Sequence, residues 1–182
     1  SGLPAQAALT TTYTYDAANR IISATVSSGS LTATTTSTYD PAGRTLTVTL
    51  PDGRQSSASY VISYGVDQQV TATQASGATT VTTTLPDGKT LSVTGDVPAA
   101  TYNAYTVNAD GTITTQTNYG SANSVRYLQQ TTDWLGRVTQ TVQPGAPGQS
   151  IVTQANSYDG TTGLLTETTR TGWDSTYYYY NN

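Results

Sequence analysis

The sequence predicts an all-β protein made of repeated antiparallel β-hairpins joined into an extended, curved or coiled sheet, with no substantial helix. Three observations predict it. An Asp-centred turn recurs along the chain. The segments between turns alternate apolar and hydroxyl side chains with a period of two. Threonine is the commonest residue, with 40 copies beside 14 tyrosines, and both types favour strands.

The first turn is Tyr15-Asp16-Ala17-Ala18-Asn19-Arg20, which leads into Ile22, Ala24 and Val26, apolar on one face. A turn at Ser27–Ser30 follows, and Leu31, Ala33 and Thr35 resume the alternation. Tyr39-Asp40-Pro41-Ala42-Gly43-Arg44 opens the next unit, 24 residues after the first by its Asp. Leu46, Val48 and Leu50 then alternate with Thr45, Thr47 and Thr49, the signature of a strand with one buried face. Pro51 has no N–H for a ladder, so the strand should end there, and Pro51-Asp52-Gly53-Arg54 is a second turn. Each strand then holds about eight residues, roughly 26 Å.

Residues 55–80 are less regular, with Tyr60, Val61, Ile62 and Tyr64 clustered before Gly65. Pro86-Asp87-Gly88-Lys89 restores the hairpin between Val81 and Val93. Asp110-Gly111 does so between Thr101 and Thr117, with Tyr105, Val107 and Ile113 as inward candidates. Asp133-Trp134-Leu135-Gly136-Arg137 and Tyr158-Asp159-Gly160-Thr161-Thr162-Gly163 are the last copies, 26 residues apart by Asp. Gln143–Ser150, rich in Pro and Gly, reads as a loop. The whole, 1–182, is one module, with clear repeats over about 10–60 and 130–175, irregular ones over 61–129 and a low-complexity Tyr/Asn tail over 176–182. A hairpin this short cannot stand alone, so neighbours must stack on it and cover its edges.

Composition narrows function. The chain has no His, Cys or Met, one Glu and ten Asp, so Ser-His-Asp and Cys-His nucleophiles, disulfides and thiolate metal sites are excluded. Only 10% of residues are charged, the net charge is −4, and the seven basic residues are scattered, which argues against a nucleic-acid surface. No apolar run reaches the ~20 residues that span a bilayer. Ser1-Gly2-Leu3-Pro4 lacks an initiating Met and the pattern of a signal peptide, so a processed product or a piece of a longer chain is expected. The turn carboxylates are read as Asx-type turn residues rather than as catalytic acids or calcium ligands. The Gly-Arg pairs at 43–44, 53–54 and 136–137 are read as pairing with an Asp of an adjacent repeat or lying over a Tyr ring. No cofactor or metal is expected.

The Tyr-Asp, Gly-Arg, strand, Asp-Gly pattern resembles the YD repeat of the RHS (rearrangement hotspot) family of bacterial toxin-shell and cell-surface repeat proteins. Tyr39-Asp40-Pro41-Ala42-Gly43-Arg44 carries the resemblance best, with good copies at Tyr15 and Tyr158 and one at Asp133 that has Thr132 in place of Tyr. It covers about 1–60 and 130–175. The resemblance implies a non-catalytic structural scaffold, secreted or at the bacterial cell surface. That scaffold is either a wall segment of a toxin-enclosing shell or a subunit of a self-assembling extracellular filament or surface layer. The structural turn residues are then Tyr15, Asp16, Arg20, Tyr39, Asp40, Gly43, Arg44, Asp52, Gly53, Asp87, Gly88, Asp133, Gly136, Arg137, Tyr158 and Asp159. Expected partners are further copies of the chain or further repeats of a longer parent. The alternative is a carbohydrate-binding or adhesion module, in which Trp134, Trp173, Tyr177, Tyr178, Tyr179 and Tyr180 would meet a glycan or a neighbouring subunit.

Overall fold

The computed structural model describes residues 8–62, 68–146 and 148–180. Ser1–Pro4, Tyr64, Gly65, Pro147 of the expected loop, and Asn181 and Asn182 of the tail lie outside the described residues. The fold is all-β and antiparallel, with strand order equal to chain order and no helix among the described residues. The chain divides into two compact units, Ser1–Asp87 and Gly88–Asn182.

The first unit holds β1 (Leu9–Tyr15), β2 (Ile21–Ser28), β3 (Leu31–Tyr39), β4 (Thr45–Thr49), β5 (Gln55–Ile62), β6 (Gln68–Thr73) and β7 (Thr79–Thr84). The second holds β8 (Thr90–Gly95), β9 (Thr101–Val107), β10 (Ile113–Tyr119), β11 (Tyr127–Thr132), β12 (Val138–Pro144), β13 (Ser150–Tyr158), β14 (Leu165–Arg170) and the short β15 (Thr176–Tyr177). The stretch 61–129, irregular in sequence, is as strand-rich as the rest. β5 is built largely of Ser and Ala, yet it is hydrogen-bonded on both sides, to β4 and β6, so its neighbours override its weak propensity.

Within each unit a strand packs only against its hydrogen-bonded neighbours, so the sheet is open and has no second layer. This corrects the expectation of one buried face. Leu46, Val48 and Leu50 are half-buried, but so are Thr47 and Thr49 on the other side. Val142 is the single buried apolar side chain among the described residues. Val107, expected to face inward, is 75% exposed, while Tyr105 and Ile113 are half-buried. With no layer to pack against, alternation sorts side chains into two faces without burying either. Hydroxyl pairs fill part of the gap. Thr25 and Thr34, Thr38 and Thr47, and Thr114 and Thr131 stand directly opposite across the ladder with their Oγ1 atoms 2.9, 2.6 and 3.2 Å apart.

The turns share one geometry. In the five-residue corners 16–20, 40–44, 50–54, 74–78, 108–112 and 133–137, the first residue's N–H donates to the fifth residue's carbonyl. The fourth residue's N–H donates to the first residue's carbonyl, all at 2.8–3.0 Å. The fourth residue has φ between 61° and 90°, and it is Gly everywhere except Asn19. This is the three-residue hairpin loop, a type I turn closed by a left-handed residue, in which Gly or Asn avoids the Cβ clash. Expected Asp-Gly turns at Asp52 and Asp110 are thus the third and fourth positions of the same corner.

A Cβ built on Gly53 meets nothing within 4 Å, so a substitution there is penalised by backbone conformation alone. Gly53→Asn should lose little stability in urea unfolding, since Asn19 already fills that position. Gly53→Val should lose about 1–2 kcal/mol more, the cost of a left-handed L-residue. Equal midpoints for the two variants would contradict this corner geometry.

Candidate functional site

Three corners carry Asp at their first position and Arg at their fifth, and there the geometry becomes specific. The Asp16 carboxylate accepts the N–H groups of Ala18 and Arg20, both at 2.9 Å, and the Arg20 Nε at 2.6 Å. Asp40 accepts the Arg44 N–H at 2.8 Å and its Nε at 2.6 Å. Asp133 accepts the N–H groups of Leu135 and Arg137 at 3.0 and 2.9 Å and the Arg137 Nε at 2.7 Å. The carboxylate thus closes the turn and locks the guanidinium of its own corner. Of the two expected partners of these arginines, an Asp of an adjacent repeat is replaced by the Asp of the same corner, and the Tyr ring is met as expected.

The locked cation then reaches the next Tyr-bearing strand end. Arg20 lies 4.8 Å over the Tyr39 ring, and its Nη1 donates to the Asp40 carbonyl at 2.9 Å. Arg44 lies 4.2 Å over Tyr60, and Arg137 lies 4.4 Å over Tyr158 with its Nη1 donating to the Gly163 carbonyl at 2.8 Å. In the Pro-Asp-Gly-Lys turn, Lys89 Nζ stands 5.7 Å from the Tyr105 ring centre. Each Tyr returns a bond from its hydroxyl to the carbonyl of the residue after the cation. These acceptors are Ile21 at 2.8 Å, Thr45 at 3.1 Å, Thr90 at 2.6 Å and Val138 at 2.9 Å. Two Tyr clamps are reinforced two residues earlier, since Asn103 and Asn156 donate to the same Thr90 and Val138 carbonyls at 2.8 Å.

These rungs span one hairpin to the next along one rim of each sheet. A full hairpin separates successive corners of this kind, so the chain returns to the same end each time. In the first unit the 16–20 and 40–44 corners share one end, while 50–54 and 74–78 close the other. The Arg54–Asp52 pair, 2.6 Å long and largely exposed, therefore belongs to the opposite rim. A further feature separates the two rims of the first unit and recurs at two corners of the second. Pairing shifts by one residue beside Asp16, Asp40, Asp133 and Asp159, so that Tyr15 faces Ile21, Tyr39 faces Thr45, Thr132 faces Val138 and Tyr158 faces Leu165. The extra residues are Ile22, Leu46, Thr139 and Thr166, and such bulges raise local twist. No shift occurs beside the 50–54 and 74–78 corners of the opposite rim, nor beside 108–112, which shares an end with 133–137, while a shift between Thr141 and Val142 falls at the other end of the second unit.

The 159 corner departs from the pattern. It is one residue longer, has Leu164 in place of Arg, and its Asp159 carboxylate accepts the Thr161 and Thr162 N–H groups at 2.9 and 2.6 Å and the Thr162 hydroxyl at 2.8 Å. Gly163 is required twice over. Its φ is 72°, and a Cβ would sit 3.1 Å from Arg137 Nη1. Gly43, Gly88 and Gly136 occupy the left-handed positions of their turns, and Asp87 ends the first unit. Tyr60 and Tyr105 take part in the rungs although no Asp follows them. The signal for them was their spacing, each 16 residues after a turn cation.

Trp134 is 81% exposed and Trp173 79%, and Tyr177–Tyr180 are all exposed. Trp134 sits in the corner between β11 and β12, and Trp173 in the turn between β14 and β15. These lie at opposite sheet ends, a strand length or about 20 Å apart. The two indoles do not form one site. Among the described residues no three carboxylates gather, because each turn Asp is committed to its own corner.

The corner carboxylates are held below the ordinary Asp range. For Asp16 the Arg20 N–H is the main cause, working against partial burial. For Asp40 and Asp133 burial is the largest influence and pushes upward. The N–H groups and guanidinium of Arg44 and Arg137 together outweigh it. Asp52 is lowered first by the Arg54 side chain, Asp110 by the Thr112 hydroxyl and Asp159 by the Thr162 N–H. A depressed folded pKa contributes stability that is present above the unfolded value of about 3.9 and lost as pH falls through the folded one. The urea midpoint should therefore be flat from about pH 7 to 5 and drop below pH 4. Asp133→Asn should start lower and respond less to acid. A midpoint that rises on acidification would refute this account.

A second expected outcome concerns the rungs. A double-mutant cycle with Arg137→Gln and Tyr158→Leu should give a coupling of about 0.5–1 kcal/mol in urea unfolding, in the range of exposed cation–π pairs. The longer Lys89–Tyr105 pair should give less. Zero coupling at Arg137–Tyr158 would reduce the stacked geometry to mere proximity. No protein-family model matches the chain, and no curated protein matches it in sequence.

Proposed function

We propose that the chain is a non-catalytic structural scaffold of YD/RHS-type repeats, a segment of β-sheet wall extended by further strands. The observation that carries this reading is the rim rung. At three sites an Arg fixed by its own Asp stacks on the next Tyr, at a fourth Lys89 approaches Tyr105, and each Tyr hydroxyl bonds back to the residue after the cation. Such a link specifies how one hairpin sits on the next and nothing about a small ligand, and it can be added to without limit. The Asp-first, Arg-fifth corners at 16–20, 40–44 and 133–137 coincide with the residues that carry the resemblance to YD repeats.

Other features favour the same reading. Six of the eleven carboxylates, those of Asp16, Asp40, Asp52, Asp110, Asp133 and Asp159, accept N–H groups of their own turns, and the chain has no His or Cys. Absence of Cys and Met suits a protein exposed to oxidising surroundings, and the proposed location, secreted or displayed at a bacterial surface, rests on the resemblance. Sheets with two half-exposed faces suit either a shell wall or an extracellular filament. The carbohydrate-binding reading is weaker, since Trp134 and Trp173 stand too far apart to grip one sugar.

The test is electron microscopy and native mass measurement of the protein purified from its natural source. The expected result is a β-continuous assembly, closed shell or filament, larger than one chain of this length. Discrete monomers that stay soluble at high concentration would sink the scaffold reading.

A further inference from the structure

The rungs define a half-site that one strand leaves open. At Tyr39, Tyr60, Tyr105 and Tyr158 the ring is covered by a cation from the preceding hairpin, and all four are half-buried. Tyr15 holds the equivalent place at the end of β1, ahead of the Asp16 corner. It is 51% exposed, and every residue of β1 is exposed. Among the described residues β1 pairs with β2 alone, so its other edge presents unsatisfied backbone groups. The Asp16 carbonyl accepts the Asn19 N–H at 3.0 Å, as the Asp40 carbonyl accepts that of Gly43. At Asp40 the second lone pair takes Arg20 Nη1. At Asp16 nothing described takes it.

We propose that the outer edge of β1 is a docking site for one further β-strand that begins with Arg or Lys and runs antiparallel to β1. The arriving cation lies over the Tyr15 ring and donates to the Asp16 carbonyl. The Tyr15 hydroxyl donates to the carbonyl of the residue after that cation. This deepens the scaffold reading by naming the chemistry of the strand that extends it, and it rests on the rung geometry.

The occupant is not the β1 edge of a second copy. Two β1 strands paired antiparallel place Tyr15 of one against the Leu9 end of the other, and the first nineteen residues hold no Arg or Lys. The β15 edge is equally unsuited, because the twelve residues after Arg170 contain no cation either. What fits is the start of a strand such as β2, β4 or β12, each of which follows Arg directly. Charge complementarity and the repeated rung therefore select a cation-led strand of a partner chain as the occupant.

The probe is the eight-residue peptide with the sequence of Gly136–Gln143, titrated into the isotope-labelled chain and followed by NMR. The expected result is saturable shifts confined to Leu9–Tyr15 and the 16–20 corner. A peptide with Gln in place of its Arg should bind about fivefold more weakly. Tyr15→Phe should keep that preference, whereas Tyr15→Leu should abolish it. Absence of binding at millimolar peptide, equal binding of the Arg and Gln peptides, or shifts confined to β14 and β15 would each overturn the proposal. Polymers that form without such docking would leave the scaffold reading standing and remove only this one. Monomers that still dock the Arg peptide would do the reverse.

Discussion

The carboxylate–guanidinium fork inside each Asp-first corner is the constraint from which the rim of this protein is built. A free arginine on a strand end samples many rotamers, and a cation–π contact made from that ensemble is largely offset by the lost freedom. Here Asp40 and Asp133 hold the side chain from below at 2.6–2.7 Å and their own turns hold the carboxylate. The guanidinium is therefore already placed when the next strand arrives. The entropy of fixing it is shared between closing a turn and joining two hairpins. One side chain thus converts a local turn into a link between strands.

That economy matters because there is no core to do the job. Among the described residues the sheet is a single layer within each unit, Val142 is the one buried apolar side chain, and no large side chain is fully enclosed. Hydrophobic burial, the dominant stabiliser of ordinary domains, is spread thinly over two half-exposed faces. Backbone ladders, opposed Thr hydroxyls and rim rungs carry a larger share. The Asn103 and Asn156 clamps show the same substitution of directed polar contacts for packing, since each adds a second donor to a carbonyl the Tyr already occupies. Such bonds are modest singly and demanding in geometry. A sheet held this way is specified by its rim as much as by its faces.

The fold was largely legible in the sequence because its information is local. Thr-laced alternation and the Asp-turn-Gly-Arg corners fix strands and reversals without reference to distant residues, and the turns at Ser27–Ser30, Pro51 and Asp110-Gly111 fall where those signals place them. The corner residues Asp16, Asp40, Asp133 and their arginines were readable for the same reason. Three things were not. The partner of each Arg could be an Asp of its own corner or of the next, and only rotamer geometry decides between a residue four back and one a hairpin away. Alternation reads as one buried face whether or not a second layer exists, so it places the exposed Val107 inward. Tyr60 and Tyr105 lack a following Asp, and their role depends on a cation 16 residues earlier that a motif centred on Tyr-Asp does not include.

The two rims of a sheet are chemically unlike, and this bears on how the architecture grows. In the first unit one rim carries bulges at Ile22 and Leu46 beside its Asp-first corners, while the other closes with corners 50–54 and 74–78 in unbroken register. In the second unit Thr139 and Thr166 bulge beside the Asp133 and Asp159 corners, the 108–112 corner at the same end is unbulged, and a further shift beside Val142 falls at the other end. Bulges add twist where they occur, and in the first unit the two beside Asp16 and Asp40 occur at the same end. At Tyr15, Tyr39 and Tyr158 the bulge sets the Tyr before Asp opposite the first residue of the following strand, whereas Tyr60 and Tyr105 make their rungs from unbulged ladders. A hairpin added out of register by a single residue would send its cation to the wrong face of the sheet, away from the waiting Tyr. The rung thus selects against misaligned neighbours, a function that open-edged, low-charge sheets need more than most.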